Sequence, residues 1–147
     1  MFDEFDELAF LTSSRLGFRR WHMDVWYQLC IKLWGNHQVS QFITAFGIFS
    51  EDQIADRLKK EILSHVEHGI QYWPIFLLVT NEFAGCCGVR PYQLEAKFVE
   101  FGCHLLPEFW GCGLVAEAAQ TVFGYCFDPL HLNLLDTILS NDHLNSC

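Results

Sequence analysis

Between a β-rich run ending at Leu106 and a helical repeat beginning at Leu114 stands Pro107-Glu108-Phe109-Trp110-Gly111-Cys112-Gly113, with two glycines one residue apart. Strand, glycine turn and helix in that order restrict what the chain can do. Glycine takes left-handed backbone at little cost, so the chain can reverse tightly there. The first N–H groups of the following helix then point outward, with the positive end of the helix dipole behind them. Such a turn binds anions, and a pyrophosphate fits it. Ala116, Ala118 and Ala119 are small enough to let the helix approach a sheet closely. Taken alone, G-x-G before a helix also suits a plain strand-to-helix connection, so the surroundings decide.

Those surroundings read as a mixed α/β chain. Leu16 and Phe18 alternate with Arg15 and Arg19, the period of a half-buried strand, and predict a first strand over Arg15 to Trp21. Val25, Trp26, Leu29, Cys30 and Leu33 recur at helical steps and predict a helix from Met23 to Trp34, stopped by Gly35 and Asn36. Ser50 and Gln53 stand in capping-box spacing, and Ile54, Leu58, Ile62 and Val66 follow at every fourth position as the expected buried face. Gly69 ends that helix. Tyr72 to Thr80, Gly85 to Tyr92 and Lys97 to Leu106 read as three antiparallel strands. A helix over Leu114 to Phe127, broken before Pro129, and a strand over Asn133 to Leu139 complete the reading.

With 147 residues, half of them hydrophobic, the chain suits one packed domain over residues 11–147 behind an acidic segment over 1–10. The longest apolar run, Ile75 to Val79, is far short of the roughly 20 residues a membrane helix needs. The acidic start MFDEFDE does not resemble a basic export signal, so the expected location is cytoplasmic. Seven cysteines without a CxxC pair or a zinc-finger histidine predict reduced thiols and no metal. The net charge of −9 argues against nucleic acid and favours cationic partners such as amines. All nine Lys and Arg residues lie at or before Lys97, which predicts a turn whose phosphate binding rests on backbone dipoles and is sensitive to salt.

Several segments in the right order resemble the Gcn5-related N-acetyltransferase (GNAT) superfamily, and more closely its RimJ/RimL-like branch. Leu11 to Leu16 with Arg19-Arg20-Trp21 resembles that branch's opening strand, Phe83 to Arg90 its third, and Val99 to Gly102 its fourth. Most specific is Pro107 to Ala118, PEFWGCGLVAEA, which is similar to the PEYWGKGYATEA pattern of the family's cofactor loop. The resemblance implies a mixed sheet splayed open near the cofactor. It implies acetyl-CoA as co-substrate, with pantetheine on the backbone of His104, Leu105 and Leu106. Pyrophosphate would then sit on Trp110, Gly111, Cys112, Gly113, Leu114 and Val115.

The reaction implied is direct acetyl transfer to a primary amine, on a protein N-terminus or a small molecule. The amine must first lose a proton, which is harder for a lysine (pKa about 10.4) than for an α-amine (about 7.7 to 8.0). Glu100 stands where relatives keep a base on the fourth strand, and is otherwise a solvent-facing strand carboxylate. N–H groups near His104 and Leu105 would polarise the thioester carbonyl. Cys112 as a nucleophile and His104 as a proton shuttle are the weaker readings, and Phe123, Tyr125 and Phe127 read as packing.

Ser140 to Cys147, SNDHLNSC, resembles the start of the family's PDNxAS-x-x-VLEKLGF element, with His143 at the usual Asn and Ser146 at the Ser. The helix and final strands that follow in relatives, and the tyrosine that often protonates the leaving thiolate, are expected to be missing. A strand edge left open there would call for cover by a homodimer. The alternative function is a catalytically silent, truncated GNAT fragment that binds CoA or a protein partner.

Overall fold

Helices start and stop where side chains and glycines satisfy their ends. α1 covers Met23–Trp34, closed by the Gly35 N–H donating to the Ile31 carbonyl at 2.9 Å and the Asn36 N–H to the Leu33 carbonyl at 3.3 Å. A short α2, His37–Ser40, follows with the Asn36 side chain as its cap. α3, Glu51–His68, opens with the full capping box: Gln53 N–H donates to Ser50 Oγ at 3.1 Å and Ser50 N–H to Gln53 Oε1 at 2.8 Å. Gly69 ends it in left-handed backbone at φ 74°. A turn of 3-10 helix, Pro107–Phe109, leads to α4, Leu114–Phe127. This computed structural model describes residues 8–44, 47–93, 98–127 and 133–139.

The described strands are β1 Leu11–Thr12, β2 Leu16–Phe18, β3 Tyr72–Leu77, β4 Phe83–Gln93, β5 Phe98–Leu105 and β6 Asn133–Leu139. They form one sheet in chain order. Neighbours from β1 to β5 are antiparallel, and β6 returns through α4 to lie parallel to β5. This is the mixed α/β architecture expected of a GNAT fold. The expected first strand is shorter than its alternating pattern and is joined by the small β1 partner. The strand expected to reach Thr80 ends at Leu77, where Asn81 takes φ 61° and its N–H bonds to the Leu77 carbonyl at 2.8 Å.

Period-2 alternation divides the core between the two sheet faces. Trp73, Ile75, Cys87, Val89, Phe101 and Cys103 pack with Leu114, Val115, Ala118 and Val122 of α4. Tyr72, Phe76, Phe83 and Cys86 pack on the other face against Trp26, Trp34 and Leu58 of α1 and α3. Phe123 and Tyr125 pack as expected, the first against Phe101 at 5.2 Å between ring centres and the second against Trp73 at 5.6 Å.

The buried face of α3 departs from the expectation. Ile54 and Leu58 are buried, but Val66 is 74% exposed and the third buried position is Glu61. A strict fourth-residue row winds about 40° round a helix at each step, so by Val66 it has turned about 120° from Ile54. Ser140 to Cys147, including His143 and Ser146, lies outside the described residues, as does most of the acidic start.

Candidate active site

The turn after β5 is built as its glycines require. Gly111 and Gly113 hold φ values of 79° and 76°, a backbone other residues adopt only under strain. The Trp110 indole N–H donates to the Leu105 carbonyl at 2.9 Å, tying the turn to the end of β5. The Leu106 N–H donates to the Ala84 carbonyl at 2.9 Å, so this part of the expected pantetheine backbone is already engaged within the sheet. At the start of α4, no described residue accepts a hydrogen bond from the N–H of Leu114, Val115 or Ala116. These orphan donors, with the helix dipole behind them, suit a pyrophosphate. Cys112 is exposed beside them, its thiol 3.6 Å from the Trp110 carbonyl.

Although no basic side chain follows Lys97, the fold returns one to the turn. Arg15, immediately before β2, donates from Nη1 to the Cys112 carbonyl at 2.9 Å and from Nε to Glu117 Oε1 at 2.7 Å. The Arg15 backbone N–H and the Ser13 hydroxyl donate to the other oxygen of the same carboxylate. Burial alone would raise the Glu117 pKa, but the bonds from Ser13 and Arg15 outweigh it and hold the carboxyl below its usual value. A guanidinium therefore stands beside the turn, with its charge paired to Glu117. The signal was available as Arg15 and Glu117 but lies in no local pattern.

On β5, Glu100, Gly102 and His104 turn to the α1 and α3 face, while Val99, Phe101, Cys103 and Leu105 turn to α4. His104 is buried, and Trp34 Nε1 donates to its Nδ1 at 3.1 Å. That bond fixes a neutral ring with its proton on Nε2. The Cys86 sulfur lies 3.6 Å from the same nitrogen. Burial and the Trp34 bond hold the ring in place.

Glu100 is paired rather than simply solvent-facing. Its Oε1 lies 3.5 Å from Arg90 Nε and accepts from the Tyr72 hydroxyl at 3.3 Å. Its side chain is 26% exposed, enough to meet a substrate. Tyr72 is placed by the neighbouring glycine: a Cβ on Gly102 would overlap the tyrosine ring. Arg90 stacks on that ring, its guanidinium carbon 4.3 Å from the centroid. Sequence reasoning missed Tyr72 and Arg90, because they meet Glu100 only through strand register, Arg90 opposite Glu100 and Tyr72 opposite Gly88. A separate cavity of about 330 Å³, lined by Lys32, Phe83 and Glu108 among others, includes none of these groups.

Among the described residues no cluster of His, Cys, Asp or Glu could hold a metal, and no helix is long and apolar enough to cross a membrane. The described cysteines are unpaired, with Cys30, Cys86, Cys87, Cys103 and Cys126 buried.

A strand, a left-handed glycine turn and a helix with open N–H donors form an anion-binding arrangement. The acetyltransferase (GNAT) domain model matches residues 15–147, and the chain belongs to that family. Over 62 residues the chain is 36% identical to the uncharacterized protein YkkB of Bacillus subtilis, a match covering 42% of this chain and 36% of that protein's length. Among solved structures, a GNAT-family acetyltransferase from Bacillus anthracis superposes with a TM-score of 0.68 at 22% identity, over 83% of this chain and 68% of that one. RimL, a ribosomal-protein alpha-N-acetyltransferase in complex with coenzyme A, superposes with a TM-score of 0.61 at 20% identity, over 82% and 67%. At such identities these structures are likenesses of fold.

Proposed function

We propose that the chain is an acetyl-CoA dependent N-acetyltransferase acting on a primary amine, either a protein N-terminal α-amine or a small amine. The observation that carries this reading is the row of open N–H donors at Leu114, Val115 and Ala116, preceded by left-handed Gly111 and Gly113. Those donors would hold the pyrophosphate of acetyl-CoA, while Arg15, paired with Glu117, braces the turn through the Cys112 carbonyl. Family membership supports the same cofactor.

Acetyl-CoA supplies an acetyl group activated as a thioester. Among the described residues, the β6 register on β5 reaches Phe101 opposite Leu139 and goes no further. The stretch His104 to Leu106 beyond it is where the pantetheine arm would pair, through backbone groups other than the Leu106 N–H and the Leu105 carbonyl, which already have partners. Glu100 would accept the proton of the incoming ammonium, its orientation set by Arg90 and the Tyr72 hydroxyl. N–H groups near His104 and Leu105 would polarise the acetyl carbonyl.

A thermal-shift titration with acetyl-CoA, at low salt and again at higher salt, tests the pocket. The expected result is a rise in Tm that grows with ligand concentration and shrinks as salt increases. No shift at either salt for folded protein would contradict the pocket.

A further inference from the structure

A second cavity, of about 310 Å³, opens between α3 and β4 and is lined by Phe49, Asp56, Arg57, Lys60, Glu61 and Arg90 among others. The Arg57 guanidinium lies over the Trp34 ring, 5.0 Å from its centroid, with Phe49 and Tyr72 rings each at 6.0 Å. The rings pack around the guanidinium. Its Nε and Nη2 are shielded from solvent and have no hydrogen-bond partner among the described residues. These two nitrogens share one edge of the guanidinium, the edge that grips a carboxylate with two parallel bonds.

Nearby acids are committed elsewhere. Glu61 Oε1 accepts from the Tyr72 N–H at 2.7 Å, Asp56 pairs with Lys60 at 3.3 Å, and Glu100 pairs with Arg90 at 3.5 Å. Among the described residues none of them forms an ion pair with Arg57. Burial first, and the Arg90 charge second, pull the Arg57 pKa down against an opposing pull from the Glu61 charge, and a bound anion would offset the Arg90 effect further. Arg90 lines the cavity and also touches Glu100, so the cavity and the candidate base share one side chain.

We propose that this cavity is an anion site for the acceptor: the amine to be acetylated carries a carboxylate, which Arg57 grips side-on while the amine reaches Glu100. This rests on the acetyl-transfer reading for its amine half. The volume is at the low end for small-ligand sites, roughly 300 to 1,000 Å³, and suits a group of amino-acid size. A free amino acid and the acidic side chain of a peptide N-terminus present the same chemistry.

Two experiments test it on the full chain. In the first, glutarate binding is measured by calorimetry on the unaltered protein, Arg57→Gln and Arg57→Lys, with circular dichroism to establish folding. Both variants are expected to weaken binding roughly ten- to hundredfold, since lysine keeps the charge and loses the fork. In the second, acetylation of 4-aminobutyrate is compared with butylamine, and of an amidated peptide beginning with Asp with its Asn counterpart. A preference of at least about tenfold for the carboxylate in either pair is expected, and the pair that shows it identifies the source. Equal rates within both pairs, or glutarate binding that ignores Arg57, would overturn the proposal. Glutarate binding that requires Arg57, with no amine acetylated, would keep the anion site and remove the acetyl-transfer reading instead.

Discussion

Arg15 and Glu117, 102 residues apart in sequence, meet in an ion pair of 2.7 Å at the first turn of α4. The Arg15 backbone N–H and the Ser13 hydroxyl complete the grip on the same carboxylate. One contact thus joins the N-terminal hairpin to the helix that carries the anion-binding turn. The carboxylate also sits at the N-terminal end of α4, where the helix dipole favours negative charge.

Glu117→Gln is expected to destabilise the fold by about 1 kcal/mol, below the roughly 1.5 to 3 kcal/mol of hydrogen bonds to a charged group because Arg15 is half exposed. The pH dependence has a definite sign. The folded carboxyl titrates below its ordinary value of 4.5, so its contribution is present above that pH and is lost as pH falls through the lowered folded value. Urea unfolding between pH 7 and pH 3 should show a shallower loss of stability on the acid side for the variant than for the unaltered chain.

Gly111→Ala meets no atom within 4 Å of the added carbon, so its cost is backbone strain alone. A left-handed alanine costs roughly 1–2 kcal/mol. Acetyl-CoA affinity, measured by calorimetry at low salt, should fall together with Tm, because relaxing the strain re-aims the N–H donors.

Gly102→Ala places a carbon inside the Tyr72 ring and must displace it. Overpacking of this kind costs about 1 to 3 kcal/mol. Turnover is expected to fall further than Tyr72→Phe alone would cause, since the ring supports both the hydroxyl on Glu100 and the stacked Arg90. Rates of the two variants, measured side by side at saturating acetyl-CoA, check this order.

Much of this was readable in the chain because it is local. Ser50 with Gln53, Gly35, Gly69 and the pair Gly111 and Gly113 mark element ends through nearest-neighbour chemistry, and α1 and α4 begin and end where those patterns place them. The strand meander follows from short apolar runs between turns. What the chain did not reveal depends on register and long-range approach. Arg15 reaches the turn across most of the sequence, and Tyr72 reaches Glu100 because Gly102 leaves room for a ring. Glu61 is buried because α3 rotates its apolar row away from the sheet, and its carboxylate is satisfied by the Tyr72 N–H. A reading of local periodicity assigns that place to Ile62.

Glu100→Gln keeps the shape of the side chain and removes its capacity to take a proton. Acetyl-CoA binding should survive the change, and amine-dependent turnover should fall roughly 10²- to 10⁴-fold. Acetyl transfer is read as free-thiol release from acetyl-CoA in the presence of a panel of primary amines, with Glu100→Gln in parallel. Amine-dependent release that collapses in the variant is the expected result. Release no greater than the amine-free background with every amine, from folded protein, would contradict it.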